Sequence, residues 1–432
     1  MLTLTLLVLA QYPQHWLSRQ PNLPTSSLAA FSAFDTSGAG TSGPCSTTAP
    51  TDARGGAGTY VRATAETCTK GVDGLRTTLI ATGDLVPLSS GQPSVMLDQN
   101  GVLGLGVFSA RTNSELRTQE IENAAWVVDN SAGRIPTFWV NDGGAPDGTQ
   151  TAEAMHSWDT TSAAMFSDVF QSFSVASGSG IACSGYAMSA TPMDGGVPVA
   201  STTDICLNDG AAWMCTPCAY VPTTHSRCSL VVATGTGTAR SCKFGNNTNQ
   251  NGGTTRTSND VFVWGLSGEA GTTMGPYIAT TSATVTRNAD VASFAVTLSG
   301  ANFSAAASYQ TPTTLITSAT AFQVYVDANN SVTASVSAGA KLVCDFKIGG
   351  VTSSVTSSAS VTANAVNRTA CTYGASGRSA CVGGVCTTTA GALTMFTGAA
   401  TFYAGTRSAT GNEANGIVSR LCYDPSDPRC VL

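Results

Sequence analysis

Short segments in which apolar and polar residues alternate recur over much of this chain, and they constrain its fold more than any other feature. Clear examples are residues 169–175 (VFQSFSV), 260–265 (DVFVWG), 293–298 (SFAVTL) and 321–326 (AFQVYV). A period of two is typical of half-buried β-strands. Turn motifs such as Asn208-Asp-Gly210 separate the segments. Short strands joined in this way are typical of sandwiches and jelly rolls, so the pattern predicts an all-β protein.

Composition excludes several classes of protein. Charged residues make up 11% and hydrophobic residues 42% of the 432 residues, and the net charge is −6. Disordered chains combine few hydrophobic residues with high net charge, so this chain should fold. It has no run of Lys or Arg that would attract nucleic acid. No apolar run reaches the roughly 18 residues that a membrane-spanning helix needs.

The chain contains fourteen cysteines, an even and high number. In a chain of this type, such a count predicts structural disulfides and an oxidising environment. The pairs closest in sequence, Cys45 with Cys68 and Cys422 with Cys430, are the simplest pairings, each contributing about 2–4 kcal/mol. The candidates for structural disulfides are Cys45, Cys68, Cys215, Cys218, Cys228, Cys242, Cys381, Cys386, Cys422 and Cys430.

The Cys215-Thr-Pro-Cys218 motif has three interpretations. A redox motif needs a helix N-terminus that lowers the thiol pKa, whereas the surrounding sequence is of the β type. A structural zinc site usually has two close ligand pairs, and only one is close here. Structural disulfides are therefore the favoured interpretation.

The length allows two or three domains. We divide the chain into an irregular N-terminal anchor or linker (1–60), a short β lead-in (61–115), a first sandwich (116–287) and a second sandwich (288–432). The first ten residues, MLTLTLLVLA, are either a signal peptide or a retained strand or anchor. No basic residue precedes the apolar run and a cut after Ala10 would leave a very short signal, which favours retention.

A series of short motifs carries a resemblance to a known family: residues 111–114 (RTNS), 123–126 (NAAW), 145–149 (APDGT), 261–265 (VFVWG) and 277–287 (YIATTSATVTR). In this order they resemble a carbohydrate-binding-module-like jelly roll common in phage tail and head fibre proteins, over about residues 100–290. The part after Arg287 is similar to the concanavalin-A-like sandwich that often follows, through residues 298–303, 402–406 and 416–423. The resemblance implies fold and virion context, and it brings no catalytic residue.

The residues give no catalytic signature. Only three histidines are present, and none lies in a nucleophile context. We interpret His225, near Cys228, as a residue at the start of a strand. Four carboxylates could be considered for glycan hydrolysis, but their spacing has no meaning for that reaction, and we expect solvated surface or turn positions for Asp159, Asp168, Asp204 and Asp209. We therefore expect a protein that is not an enzyme.

Glycan binding requires exposed aromatic rings with polar groups beside them. Trp139, Trp158 and Trp213 are the candidates, whereas Trp264 on an apolar strand is expected in the core. Trp139 precedes Asn141-Asp142, which together with Asp194 could bind calcium through oxygen ligands. No cofactor is otherwise expected.

These observations predict a non-catalytic structural protein of the virion surface, a phage fibre, tail appendage or capsid decoration, that binds host-surface glycans. Because fibres commonly trimerise, we expect a homo-oligomer, a trimer being favoured, with residues 1–60 docking to other virion proteins. The alternative is a secreted or cell-surface carbohydrate-binding protein without a virion. A glycan depolymerase is a third, less favoured hypothesis.

Overall fold

The computed structural model describes residues 29–31, 44–45, 59–62, 64–70, 79–82, 84–90, 92–162, 165–191, 197–232, 234–298, 300, 302–312, 315–391, 396–407 and 415–423. These residues form thirty β-strands and no helix, which confirms the all-β fold class. Over the same residues there is accordingly no helix able to cross a membrane. The first ten residues, Asp194 and Cys430 lie outside the described residues.

The strands, in chain order, are β1 (Ala29–Phe31), β2 (Thr59–Val61), β3 (Glu66–Thr69), β4 (Leu79–Ile80), β5 (Leu85–Leu88), β6 (Val95–Leu97), β7 (Leu103–Val107), β8 (Arg111–Asn113), β9 (Val127–Asn130), β10 (Thr137–Gly143), β11 (Ala152–Ser157), β12 (Phe166–Ser174), β13 (Ile181–Ser189), β14 (Ser201–Asn208) and β15 (Trp213–Tyr220). They continue as β16 (His225–Val232), β17 (Ala239–Asn247), β18 (Asn259–Ala270), β19 (Val285–Arg287), β20 (Val291–Leu298), β21 (Phe303–Gln310), β22 (Thr320–Asp327), β23 (Asn330–Val336), β24 (Lys341–Ile348), β25 (Val351–Ser360), β26 (Val366–Gly374), β27 (Gly377–Val382), β28 (Val385–Thr389), β29 (Gly398–Ala404) and β30 (Gly416–Tyr423).

The first sandwich packs an eight-stranded sheet against a five-stranded sheet. The larger sheet has the order β10-β11-β18-β13-β16-β4, with β8 and β19 attached beside β18, and the smaller one has the order β15-β14-β17-β12-β9. The alternation read from the sequence explains the core, because Val169 and Phe173 of β12 point inward towards Val261 and Val263 of β18. Two disulfides, Cys183–Cys242 and Cys218–Cys228, connect the two sheets.

The second sandwich is built in the same way. One sheet has the order β2-β20-β29-β22-β23-β24-β25, and the other has the order β28-β27-β26-β21-β30-β7-β6, with β1 also pairing with β30. Its core includes Phe303, Phe322 and Phe402. The Cys344–Cys371 disulfide joins β24 of one sheet to β26 of the other. Both halves of the chain are therefore sandwiches, as the alternating segments predict.

The cysteines form structural disulfides, and none of those described is free. Cys45 is bonded to Cys68. Cys422 is disulfide-bonded, but the pairing predicted with Cys430 falls outside the described residues. Cys215 is bonded to Cys206, Cys218 to Cys228, and Cys381 to Cys386. Since Cys215 and Cys218 are not bonded to each other and both are oxidised, the motif offers neither a redox pair nor thiolates for zinc.

Residues 61–115 do not form the separate lead-in that the sequence predicts. Strands β4 and β8 pair with strands of the first sandwich, whereas β6 and β7 belong to a sheet of the second. The pairing of β7 with β30 joins Val107 to Gly416, positions about three hundred residues apart in the chain. Local sequence patterns carry no information about such a partner, and this segment instead ties the two sandwiches together.

A buried ion cluster marks the junction between the sandwiches. Asp290, directly before β20, is fully buried and so are Arg62 and Arg287, which reach its two oxygens at 3.5 and 2.9 Å. The Tyr60 hydroxyl donates a hydrogen bond of 2.6 Å to Oδ1, and the backbone NH of Phe108 donates one of 2.9 Å to Oδ2. The carboxylate thus collects donors from strand ends of both sandwiches.

We predict that Asp290→Asn destabilises the protein by about 3–5 kcal/mol, because two buried guanidinium groups lose their common counter-charge. Asp327→Asn, at the exposed last residue of β22, is the matched control and should change stability little. Urea denaturation of both oxidised variants, followed by intrinsic fluorescence, measures the free energy of unfolding. Equal stability of the two variants would contradict the role assigned to the cluster.

Candidate functional site

Exposed apolar side chains concentrate in one part of the first sandwich. Among the residues that the structure describes, thirteen large hydrophobic side chains are exposed, and six of them lie between residues 127 and 158. These are Val127, Val128, Ile135, Trp139, Val140 and Trp158. Large apolar side chains left exposed commonly mark a binding surface. Because this stretch holds six of them, two of which are tryptophans, it is the candidate site.

Trp139 lies on β10, which ends the larger sheet of the first sandwich. Its neighbour Phe138 packs against the core, so Trp139 points to the outer face of the sheet, where it is 37% exposed. Across the ladder it faces the small residue Ala154, which in turn faces Phe262 of β18. The short alanine side chain leaves the indole projecting above its neighbours.

Trp158, just after β11, is 39% exposed and held in place. Its indole nitrogen donates a hydrogen bond of 2.8 Å to the carbonyl of Ile135. Its ring also meets the His156 ring edge-on, with centroids 4.6 Å apart. Since the indole is already fixed, a ligand that stacks on its free side would lose little side-chain entropy.

Polar groups lie near Trp158 and on the same sheet face. His156 Nδ1 lies 2.9 Å from a carboxylate oxygen of Asp260, on the same outer face as Trp139. Asp159 forms an ion pair with Arg134, and both side chains remain partly exposed. The candidate site, named here the tryptophan face, therefore consists of Trp139 and Trp158 with these hydrogen-bonding groups beside them.

The structure does not bring the third candidate, Trp213, to the tryptophan face. Trp213 begins β15 of the opposite sheet and is half-buried. Its ring lies over Lys243, with Nζ 4.6 Å from the ring centroid. Trp264 is buried as expected, at 1% exposure, with Tyr186 and Tyr277 around it.

Two of the four carboxylates predicted at surface or turn positions are buried. Asp168 and Asp204 are fully buried, on the outer side of the five-stranded sheet. Asp204 forms an ion pair of 2.6 Å with Arg256 from the chain that follows β17. Asp209 caps a turn by accepting the backbone NH groups of Ala211 and Ala212, as expected. A surface interpretation fails for the first two because alternation alone cannot show that a later loop covers that face.

Two of the calcium candidates, Asn141 and Asp142, lie at an irregular point of β10. Asn141 adopts a left-handed conformation, with φ of 52°, where the β10–β11 ladder shifts register, and its function is to form this bulge. Asp142 beside it is exposed. Over the described ranges, no three His, Cys, Asp or Glu side chains are grouped to hold a metal ion.

His225 is a structural residue. It begins β16, pairs with Ile80 of β4 and is fully buried. Cys228 is bonded to Cys218, so His225 and a free thiol do not form a catalytic pair. Burial lowers the pKa of the imidazole to about 4, which keeps it neutral at physiological pH.

Comparisons with known proteins identify no family for this chain. No family model matches the chain, and no curated protein matches it. Among solved structures, the N-terminal CBM22-1-CBM22-2 tandem domain from Paenibacillus barcinonensis Xyn10C is 8% identical over 73% of this chain and 97% of that chain, with a TM-score of 0.24. The full extracellular region of zebrafish Gpr126/Adgrg6 is 8% identical over 69% of this chain, with a TM-score of 0.21, and the chain spans 35% of its length.

We predict that acid weakens the fold through His225. The folded-state pKa is about 4 and the unfolded value is about 6.5, so the unfolded chain binds the proton first and stability is lost as the pH falls through this window. Between roughly pH 7.5 and pH 4.5, the free energy of unfolding of wild type should fall by about 2 kcal/mol more than that of His225→Gln. Urea denaturation at several pH values measures it, and parallel pH profiles of the two proteins would refute the prediction.

Proposed function

We propose that this chain is a non-catalytic carbohydrate-binding protein that acts outside the cell, with the tryptophan face as its glycan-binding surface. The observation that carries the proposal is the pair of exposed indoles, Trp139 and Trp158. Both lie on the outer face of the larger sheet of the first sandwich, at the sheet edge formed by β10. Both are aromatic, and Trp158 is fixed in position by its hydrogen bond to Ile135.

The chemistry of a sugar suits this surface. A pyranose ring presents a face of C–H groups that packs on an aromatic ring, and hydroxyl groups around its edge that need hydrogen-bond partners. The indoles supply the apolar platforms, and the partly exposed Asp159 and Arg134 supply acceptors and donors. A few polar groups placed around an aromatic lining are the usual composition of a small-molecule site.

Absence of catalysis is part of the same proposal. Glycoside hydrolysis needs two carboxyl groups on either side of the scissile bond. At the tryptophan face, the carboxylate of Asp159 is engaged by Arg134 and that of Asp260 by His156. The buried Asp168 and Asp204 belong to the other sheet of the sandwich. Binding without cleavage therefore fits the tryptophan face better than a depolymerase does.

Six disulfides between described cysteines favour a protein that functions in an oxidising, extracellular environment. The resemblance to fibre proteins extends the proposal to the surface of a phage virion, as a homotrimeric fibre, tail appendage or capsid decoration. The alternative is a secreted or cell-surface protein. Immunogold labelling of native particles, with an antibody to residues 288–432, separates them: label on particles supports the virion, and label on cells or soluble protein alone overturns it.

We predict that the purified protein binds a subset of a glycan array and leaves the length of the bound glycans unchanged. Trp158→Ala and Trp139→Ala should each weaken binding about tenfold or more, because truncation of a central aromatic contact costs on the order of 1.4 kcal/mol or more. Isothermal titration calorimetry with the best array ligand measures the loss.

Trp213→Phe is the matched control, since it alters an aromatic ring on the opposite sheet of the same sandwich. Its affinity should equal that of wild type. Unchanged affinity of both alanine variants, or loss of affinity in the Trp213 variant alone, would place the glycan elsewhere. Shortening of the glycan would overturn the non-catalytic proposal.

A further inference from the structure

The outer face of the five-stranded sheet contains a lysine enclosed by aromatic rings and carboxylates. Lys243 of β17 has a side chain that is only 4% exposed. Its Nζ lies 4.6 Å from the ring centroid of Trp213, 5.2 Å from that of Phe170 and 5.3 Å from that of Phe166. An ammonium group in such a place has given up most of its hydration.

Two carboxylates reach the same nitrogen from neighbouring strands. Asp129 Oδ2 lies 2.5 Å from Lys243 Nζ, and Asp168 Oδ1 lies 3.5 Å from it. Asp129 is on the edge strand β9, Asp168 faces it directly on the neighbouring strand β12, and Lys243 reaches over β12 from the central strand β17. Asn247 donates a hydrogen bond to the other oxygen of Asp168 and so fixes its orientation.

The backbone is shaped for this approach. Gly245 lies opposite Asp168 in the ladder and has a φ of +143°. A Cβ at this position would lie 2.5 Å from the Cα of Asp168, far inside van der Waals contact. Glycine therefore lets β17 pass close to Asp168, with Lys243 two residues away on the same side of the strand.

We propose that Lys243 and Asp129 condense to form an intramolecular amide (isopeptide) bond, with Asp168 as the proton carrier. The Nζ attacks Cγ of Asp129, a C–N bond forms, and one C–O bond of Asp129 breaks. The ammonium carries three hydrogens: one stays on the amide, and two leave with the departing oxygen as water. No oxidant, reductant or other reactant is needed, because an ammonium and a carboxylate give an amide and one water molecule.

Asp168 is suited to move the protons. Its pKa is raised to about 7. Burial is the largest cause, and the negative charge of Asp129 acts in the same direction, whereas the positive charge of Lys243 opposes them. A group that titrates near neutrality can take a proton from the ammonium and return it to the leaving oxygen. The side chain of Asp129 is 31% exposed, so the released water has a route to solvent.

Burial also favours the product. Holding the two groups in contact replaces a bimolecular encounter with an intramolecular one, which is worth several orders of magnitude in effective concentration. Formation of a neutral amide removes a buried positive charge and its partner, so their desolvation cost disappears. The aromatic rings limit access of the water that would reverse the reaction.

Intact-mass spectrometry of the reduced, full-length protein tests the proposal. Wild type should be lighter than its sequence predicts by one water molecule. Tryptic digestion should yield peptides 118–134 and 241–256 joined through Asp129 and Lys243, with no cleavage after Lys243. A full, unshifted mass together with separate peptides would overturn the proposal.

Two variants complete the test. Lys243→Arg keeps a cation beside Asp129 but has no amine that can form this amide, so it should show its full calculated mass. Asp168→Ala keeps both reacting groups and removes the proton carrier, so it should also retain its full mass. Loss of water in Lys243→Arg would show that the link lies elsewhere, and loss of water in Asp168→Ala would refute the role of Asp168.

Discussion

The relative arrangement of the two sandwiches depends on one buried carboxylate. Asp290 is contacted by Arg62 and Arg287, and all three side chains are withdrawn from solvent. Charged residues are only 11% of the chain, and three of them are buried in this one cluster. Removing three charges from water carries a large desolvation cost. The guanidinium groups recover part of that cost by donating to backbone carbonyls, Arg62 to Thr64 and Ser89, and Arg287 to Ser109. Ser109 lies in the segment that runs from β7 of the second sandwich to β8 of the first, which is why the cluster fixes the junction.

Within each sandwich, covalent bonds hold the facing sheets together. Cys183–Cys242 and Cys218–Cys228 cross the core of the first, and Cys344–Cys371 crosses that of the second. Sequence separations of 59, 10 and 27 residues mean that the first of these closes the longest loop and restricts the unfolded chain most. A chain with few charged residues thus gains from disulfides stability that networks of ion pairs provide in other proteins.

The sequence predicts the strands well, since alternation reports burial of one face directly. The alternating segments 293–298 and 321–326, for example, lie within β20 and β22. Alternation contains no information about which strands pair, so the division of residues 61–115 between two sandwiches could not be predicted. The same limit explains Asp168 and Asp204, whose face of the sheet is covered by chain that follows later. Trp139 and Trp158 could be proposed as exposed, but their placement on one face required the ladder between β10 and β11.

The proposed glycan surface and the proposed isopeptide bond involve one continuous stretch of chain. Asp129 lies on β9 in the five-stranded sheet. Six residues separate the end of β9 from β10, the edge strand of the opposite sheet that carries Trp139. Edge strands open most easily, because they have a hydrogen-bonded neighbour on one side only. A ligand that pulls on Trp139 would therefore load a part of the sandwich that is weakly held by hydrogen bonds. A covalent bond from Asp129 across β12 to Lys243 would anchor the start of this stretch to a central strand, which suits a protein that has to remain attached while its ligand moves.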